Sequence, residues 1–244
     1  MNNNRRFFLK AFASSSLVGT AALMGCKSAS VNTLLTPTDN NDWSAAEAIK
    51  KNIKVPQFAE SAFNIIDFGA QSGGTFNNSH AIKKAILTCH QQGGGKVIIP
   101  EGVFYTGPIH LLSNVNLHLE KNAVLSFSTN PDDYLPAVFT RWEGLEMMGY
   151  SPLIYAYGQQ NIAITGEGVL EGNANNTTWW PWKGPHKEKH WELQYQENGQ
   201  LMDQKPARKQ LMVDAENALP VTERIYADGA YLRPPFIQPY RCNN

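Results

Sequence analysis

Between Phe63 and Thr106 the apolar positions first fall at helical spacing and then alternate. Ala81, Ile82, Ala85, Ile86 and Cys89 make one stripe of an amphipathic helix. Asn78 or Ser79 is placed to cap its start, because a short side-chain oxygen there accepts an otherwise unpaired backbone N–H. Gly93, Gly94 and Gly95 end it, since glycine alone enters the left-handed conformation cheaply. From Lys96 to Gly172 the period drops to that of strands: Val97–Ile99, Val103–Thr106, Ile109–Leu111, Val115–Leu119, Val124–Ser128, Leu153–Tyr157, Ile162–Thr165 and Val169–Glu171. The turns carry asparagine rather than the Asn-Gly of tight hairpins, which argues against an antiparallel meander. One helix followed by many strands predicts a helix that covers the exposed end of a β structure.

An internal repeat sharpens the fold class to all-β. Pro152-Leu153-Ile154-Tyr155-Ala156-Tyr157 lines up with Pro235-Phe236-Ile237-Gln238-Pro239-Tyr240. Asn161 opens N-I-A-I-T-G, and Asn114 opens the related N-V-N-L-H-L. Repeated strand-plus-asparagine units mark a β-solenoid, whose coils stack so that similar residues form ladders. The helix from Ser79 to Gln92 then serves as the N-terminal cap of the first coil. By the same alignment the chain stops at Asn244 just before the next apolar strand is due, so the solenoid is expected to be truncated at its C-terminal end.

Composition narrows the partners. With 42% hydrophobic residues the chain can bury a proper core, and 21 basic residues balance 21 acidic ones. Removal of residues 1–25 takes away Arg5, Arg6 and Lys10 and leaves 18 against 21, a net of −3. No basic surplus exists for a nucleic-acid partner. Cys26, Cys89 and Cys242 are too few and too scattered for a disulfide framework. The N-terminus is more telling. Asn4-Arg5-Arg6-Phe7-Phe8-Leu9-Lys10 resembles the twin-arginine export signal, and the apolar run that follows is too short to span a bilayer. Leu23-Met24-Gly25-Cys26 resembles a bacterial lipobox, with Cys26 as the lipidated residue. An ordinary cleaved signal with a stray cysteine is the alternative. Residues 1–26 are thus expected to be a signal and 27–60 a tether with one short helix at Trp43–Lys51. The expected location is periplasmic or at the surface of a bacterium, held to the membrane by lipid.

The motifs N-I-I-D-F-G-A, G-G-G-K-V-I-I-P-E-G, Y-T-G-P-I-H-L, N-I-A-I-T-G-E-G-V-L-E-G and R-P-P-F-I-Q resemble the N-terminal part of glycoside hydrolase family 28, the polygalacturonases and related pectin hydrolases. The likeness covers residues 60–182 and resumes at 233–244. It implies a right-handed, single-stranded parallel β-helix over 61–244, and inverting hydrolysis of uronic-acid-containing polysaccharide or oligosaccharide. In that chemistry one aspartic acid protonates the leaving oxygen while others activate water on the opposite face. The family's N-T-D, D-D, G-H-G and R-I-K motifs have no proper match here. Asp132-Asp133 lies in the turn P-D-D-Y, and Arg224-Ile225-Tyr226 is misplaced in the chain. The catalytic aspartates are therefore expected beyond Asn244, and this stretch alone is expected to be inactive.

Substrate-binding candidates remain. Trp179, Trp180 and Trp182 offer aromatic faces that suit sugar rings or that pack a loop. Arg141, Trp142 and Glu143 lie in an insertion between Phe139 and Tyr150, and Arg233 precedes Pro234. A guanidinium fork matches a uronate carboxylate in a bidentate pair. The expected binding set is Arg141, Trp142, Glu143, Trp180 and Arg233. Residues 183–232 break the coil pattern and read as a second insertion, with a helix over Pro206–Asn217 whose proline sits in the first turn. Such an insertion narrows a cleft and favours attack at chain ends. His186 and His190 are four apart, but no third ligand accompanies them, so neither metal nor cofactor is expected. Two other readings stay open. One is a β-eliminating lyase on the same fold, for which residues 1–244 show no calcium-type Asp cluster. The other is a non-catalytic, lipid-anchored glycan-binding solenoid.

Overall fold

The structure, a computed structural model, describes residues 43–243. Arg5, Arg6 and Cys26, and with them the expected export signal and lipobox, lie outside the described residues. Helix α1 (Ser44–Asn52) belongs to a compact unit ending at Asn52. It buries no side chain, and its Glu47–Lys50 pair, 3.1 Å apart, is exposed.

The unit from Ile53 onward is a stack of coils. Strand β1 (Ala62–Asn64) precedes helix α2 (Ser79–Gln91). The first coil then runs through β2 (Gly95–Ile99), β3 (Gly102–Thr106) and β4 (Ile109–His110). The second begins with β5 (Val115–Leu119) and β6 (Ala123–Phe127). It leaves the stack for a hairpin, β7 (Val138–Trp142) and β8 (Leu145–Gly149), and returns as β9 (Ile154–Tyr157). The third has β10 (Ala163–Gly166) and β11 (Val169–Glu171), then an excursion with helix α3 (Lys205–Glu216) and β12 (Ile225–Tyr226), and returns as β13 (Ile237–Tyr240). Three sheets result, β1-β2-β5-β10, β3-β6-β11 and β4-β9-β13, and every pairing within them is parallel. This is the expected parallel β-helix.

The register follows the sequence repeat. Ile154 pairs with Ile237 and Tyr157 with Tyr240, as the proline-to-proline alignment requires. Ala163 pairs with Asn116, as the Asn114–Asn161 alignment requires. Inward-facing residues of successive coils stack in ladders: Val97 on Leu117, Ile99 on Leu119, Phe104 on Leu125, all at most 2% exposed. Each such apolar side chain removed from water contributes about 1.5–3 kcal/mol. The bends stack as well. Asn114 and Asn161 both take left-handed backbone, at φ 65° and 52°, where asparagine is better tolerated than most residues. The Asn161 amide donates to Asn114 Oδ1 at 3.1 Å and to the Gln57 carbonyl at 2.7 Å.

Helix α2 turns its predicted stripe inward, Ala81, Ile82, Ala85, Ile86 and Cys89 all being buried against β1, β2, β4 and β5. Its cap differs from the expectation. Asn78, fully buried, makes no capping bond. Its Oδ1 accepts from the Gln71 N–H at 2.7 Å, and its amide donates to the carbonyls of Gln71, Phe76 and Tyr105. The first helical N–H, that of Ser79, is instead taken by Asn77 Oδ1 at 3.0 Å. Burial decides this: an enclosed amide must spend every donor and acceptor on its surroundings. The glycine stop also does more than end a helix. At Gly94 (φ +100°) a Cβ would stand 2.4 Å from the Asn114 carbonyl, so the backbones approach too closely for any side chain.

The hairpin is a departure, since asparagine-marked turns spoke against antiparallel pairing. β7 and β8 pair antiparallel around a two-residue turn, Glu143–Gly144, both with positive φ (45° and 93°). Both excursions leave the stack at the same corner, between the second and third sheets. They join there: β12 extends β8 in parallel, and α3 packs on β8. Trp142, Met147, Leu211, Tyr226 and Leu232 form a small core separate from the main one.

Candidate functional site

A cleft of about 520 Å³ opens where this lobe meets the coils. Three segments build it. The hairpin tip supplies Trp142 and Glu143, the end of β11 supplies Leu170 and Glu171, and the return to β13 supplies Arg233 and Phe236, with Trp180 beside them.

Each side chain is held for a physical reason. Trp142 is rooted in the lobe's own core. Glu143 sits at the strained turn position and accepts from Arg208 Nε of α3 at 2.8 Å, tying the tip to the helix. The tryptophan cluster divides its labour. Trp179 and Trp182 are buried, 5.1 Å apart and edge-on, with Trp179 against Tyr134 and Trp182 against Tyr150 and Tyr231. Trp179 also donates through Nε1 to the Gly172 carbonyl at 3.2 Å. These two nail the loop to the stack and leave Trp180 42% exposed in the cleft. Loop packing thus accounts for two of the three tryptophans.

Arg233 is the one cationic side chain that lines the cleft among the described residues. Its Nε is buried and has no hydrogen-bond partner among the described residues. Burial lowers its pKa from the usual arginine range, and the charge of Glu143 acts in the opposite sense. A guanidinium beside indole faces has the chemistry to receive an anionic, ring-shaped ligand.

Four of the five expected residues, Trp142, Glu143, Trp180 and Arg233, come together here. Arg141 does not. Alternation on β7 turns it the other way, where it donates to the Gly144 carbonyl at 2.9 Å and lies 5.7 Å from the Tyr240 ring centre. Glu171 and Phe236 complete the cleft and were not in the expected set, although both stand inside the quoted motifs E-G-V-L-E-G and R-P-P-F. Glu171 ends β11 and Phe236 immediately precedes β13, so their convergence shows only once the coil corner is known. The other candidates have structural roles. Asp133 accepts from Ser128 Oγ at 2.5 Å, and Arg224 Nε donates to the Leu219 carbonyl at 2.7 Å. Among the described residues no three or more of His, Cys, Asp and Glu converge as metal ligands.

No family model matches the chain. It is 34% identical over 118 residues to an exo-poly-alpha-D-galacturonosidase of Dickeya chrysanthemi, a match covering 45% of this chain and 19% of that protein. It is 30% identical over 111 residues to plasmin and fibronectin-binding protein A of Streptococcus pneumoniae, covering 45% and 15%. Among solved structures, a hyperthermoactive exopolygalacturonase from Thermotoga maritima superposes with a TM-score of 0.74 at 45% identity, covering 82% of this chain and 43% of that one. The chain spans less than half the length of each of these relatives. With the coil register and the motifs that carry it, these likenesses support a β-helix similar to those of glycoside hydrolase family 28.

Proposed function

We propose that the chain forms the opening coils of an exported hydrolase acting on galacturonic-acid-containing polysaccharide, and that its lobe closes one end of the substrate cleft. The observation that carries this reading is the cleft itself: Arg233, Trp142 and Trp180 meet at the corner from which both excursions rise. Coils stack at that corner, so coils after Asn244 would extend the same groove and bring the catalytic aspartates to it. An inverting pair needs room between its carboxyls for a water. A wall at one end leaves space for a chain terminus and not for a passing chain, which favours release of sugars from the end. Likeness to two exo-acting galacturonan enzymes supports that mode. Export through the Arg5–Arg6 signal and anchoring by lipid on Cys26 belong to the same proposal and place the enzyme with polymeric substrate outside the cytoplasm.

The likeness to a streptococcal binding protein favours a second reading, a lipid-anchored solenoid that binds without cleaving. Polygalacturonate incubated with the product of the complete gene separates the possibilities. Hydrolysis from chain ends releases monomeric galacturonate with a new reducing group and no ultraviolet-absorbing double bond. An unsaturated product would mean a lyase, and retention of polymer without any product would mean a binding protein.

A further inference from the structure

Behind the cleft lies a second pocket of about 350 Å³ that shares Trp180 and Arg233 with it. The rest of its wall is Asn176, from the turn before the tryptophans, and Lys183, His186, Lys189 and Trp191 after them. Its charge differs from that of the cleft. Among the described residues the cleft has two carboxylates against one guanidinium, whereas no Asp or Glu lines this pocket. Asp203, on the far side of Gly184, is taken up by Lys205 at 3.8 Å. The lysines Lys183 and Lys189 are exposed and stand in no ion pair among the described residues. The aromatic part is built rather than accidental. Trp191 donates from Nε1 to the Gly184 carbonyl at 2.9 Å, and the His186 ring packs against it at 5.7 Å, which fixes the indole beside the lysines.

We propose that this pocket is a separate binding site for an acidic sugar, its carboxylate received by Lys183, Lys189 and Arg233 and its ring by the Trp180 and Trp191 indoles. A cationic rim over apolar faces suits a ligand that is charged at one edge and hydrocarbon-like on its ring face. The shared residues make the pocket continuous with the cleft, so it would hold a uronate unit of the same chain or of a branch. The proposal rests on the galacturonan reading for the identity of the sugar and on the pocket's own charge for its anionic character.

The test is calorimetric titration of the 244-residue chain with saturated digalacturonate and with its methyl ester, at fixed ionic strength. The Lys183→Ala/Lys189→Ala chain should bind the acid at least tenfold more weakly and the ester unchanged. Trp191→Phe should weaken both. Thermal melting superimposable on that of the parent chain checks that the exposed lysines are not needed for folding. Absence of binding by the parent, equal loss for acid and ester in the lysine variant, or displacement of the sugar by inorganic phosphate at the same ionic strength would each overturn the proposal. The two readings fail separately. Unsaturated products with intact lysine dependence would sink the hydrolase and keep the pocket; saturated products without lysine dependence would do the reverse.

Discussion

The coil stack and the lobe on its corner are built by different rules. In the stack each residue meets its equivalent one coil away, so one inward apolar pattern recurs from level to level, with asparagine at the bends that open the second and third coils. In the lobe nothing repeats. One hairpin, one helix and one two-residue strand from distant parts of the chain share a core of five buried residues. A repeated interface is stabilised by the sum of its levels, and a one-off interface stands or falls on a few contacts. The stack therefore supplies the rigid reference, and the lobe supplies the shape of the cleft.

Three substitutions probe that division. Leu117→Ala, in the central strand of the first sheet and fully buried, should cost about 3–5 kcal/mol and lower the melting temperature of the whole coil unit. Leu211→Ala, equally buried but in the lobe, should cost about 2–3 kcal/mol. Its damage should be local: amide exchange should quicken in α3 and β12 while the β2, β5 and β6 amides keep their protection. Matching exchange rates in both regions would show that the lobe and the stack unfold as one. Arg208→Ala removes the exposed pair with Glu143 and should cost only about 0.5 kcal/mol, less at high salt. A larger loss would mean that the strained Glu143 turn depends on the pair.

The same division explains what could be read from the residues in advance. Ladder register was visible because proline, isoleucine and tyrosine recur at the same spacing around Ile154 and Ile237, and the Ala81–Cys89 stripe because helical spacing is local. The hairpin was not. Its turn requires positive φ at both central residues, for which Asn-Gly is the usual signal, and here Glu143 occupies the first position. On its strands Thr140 is buried and Phe139 only partly so, which blurs the alternation. The cleft was half legible: Trp142, Glu143, Trp180 and Arg233 are unusual residues in segments that interrupt the pattern. Arg141 was set among them because adjacent residues look alike in a list, whereas a strand sends neighbours to opposite faces. Lys183, Lys189 and Trp191 gave no sign, because their common address depends on a loop path that no periodicity encodes.

The asparagine pair at the bends of the second and third coils has a directional consequence. Asn161 donates to Asn114, so the later bend finds its amide partner already fixed by the earlier one. A donor looking backward makes the second level the mould for the third. Ordering can spread outward from the capped beginning, and a branch thrown off at a corner need not be complete before growth resumes below it. Lineages can then lengthen or trim the corner loops, and so reshape what is recognised, without disturbing the thread from which they hang.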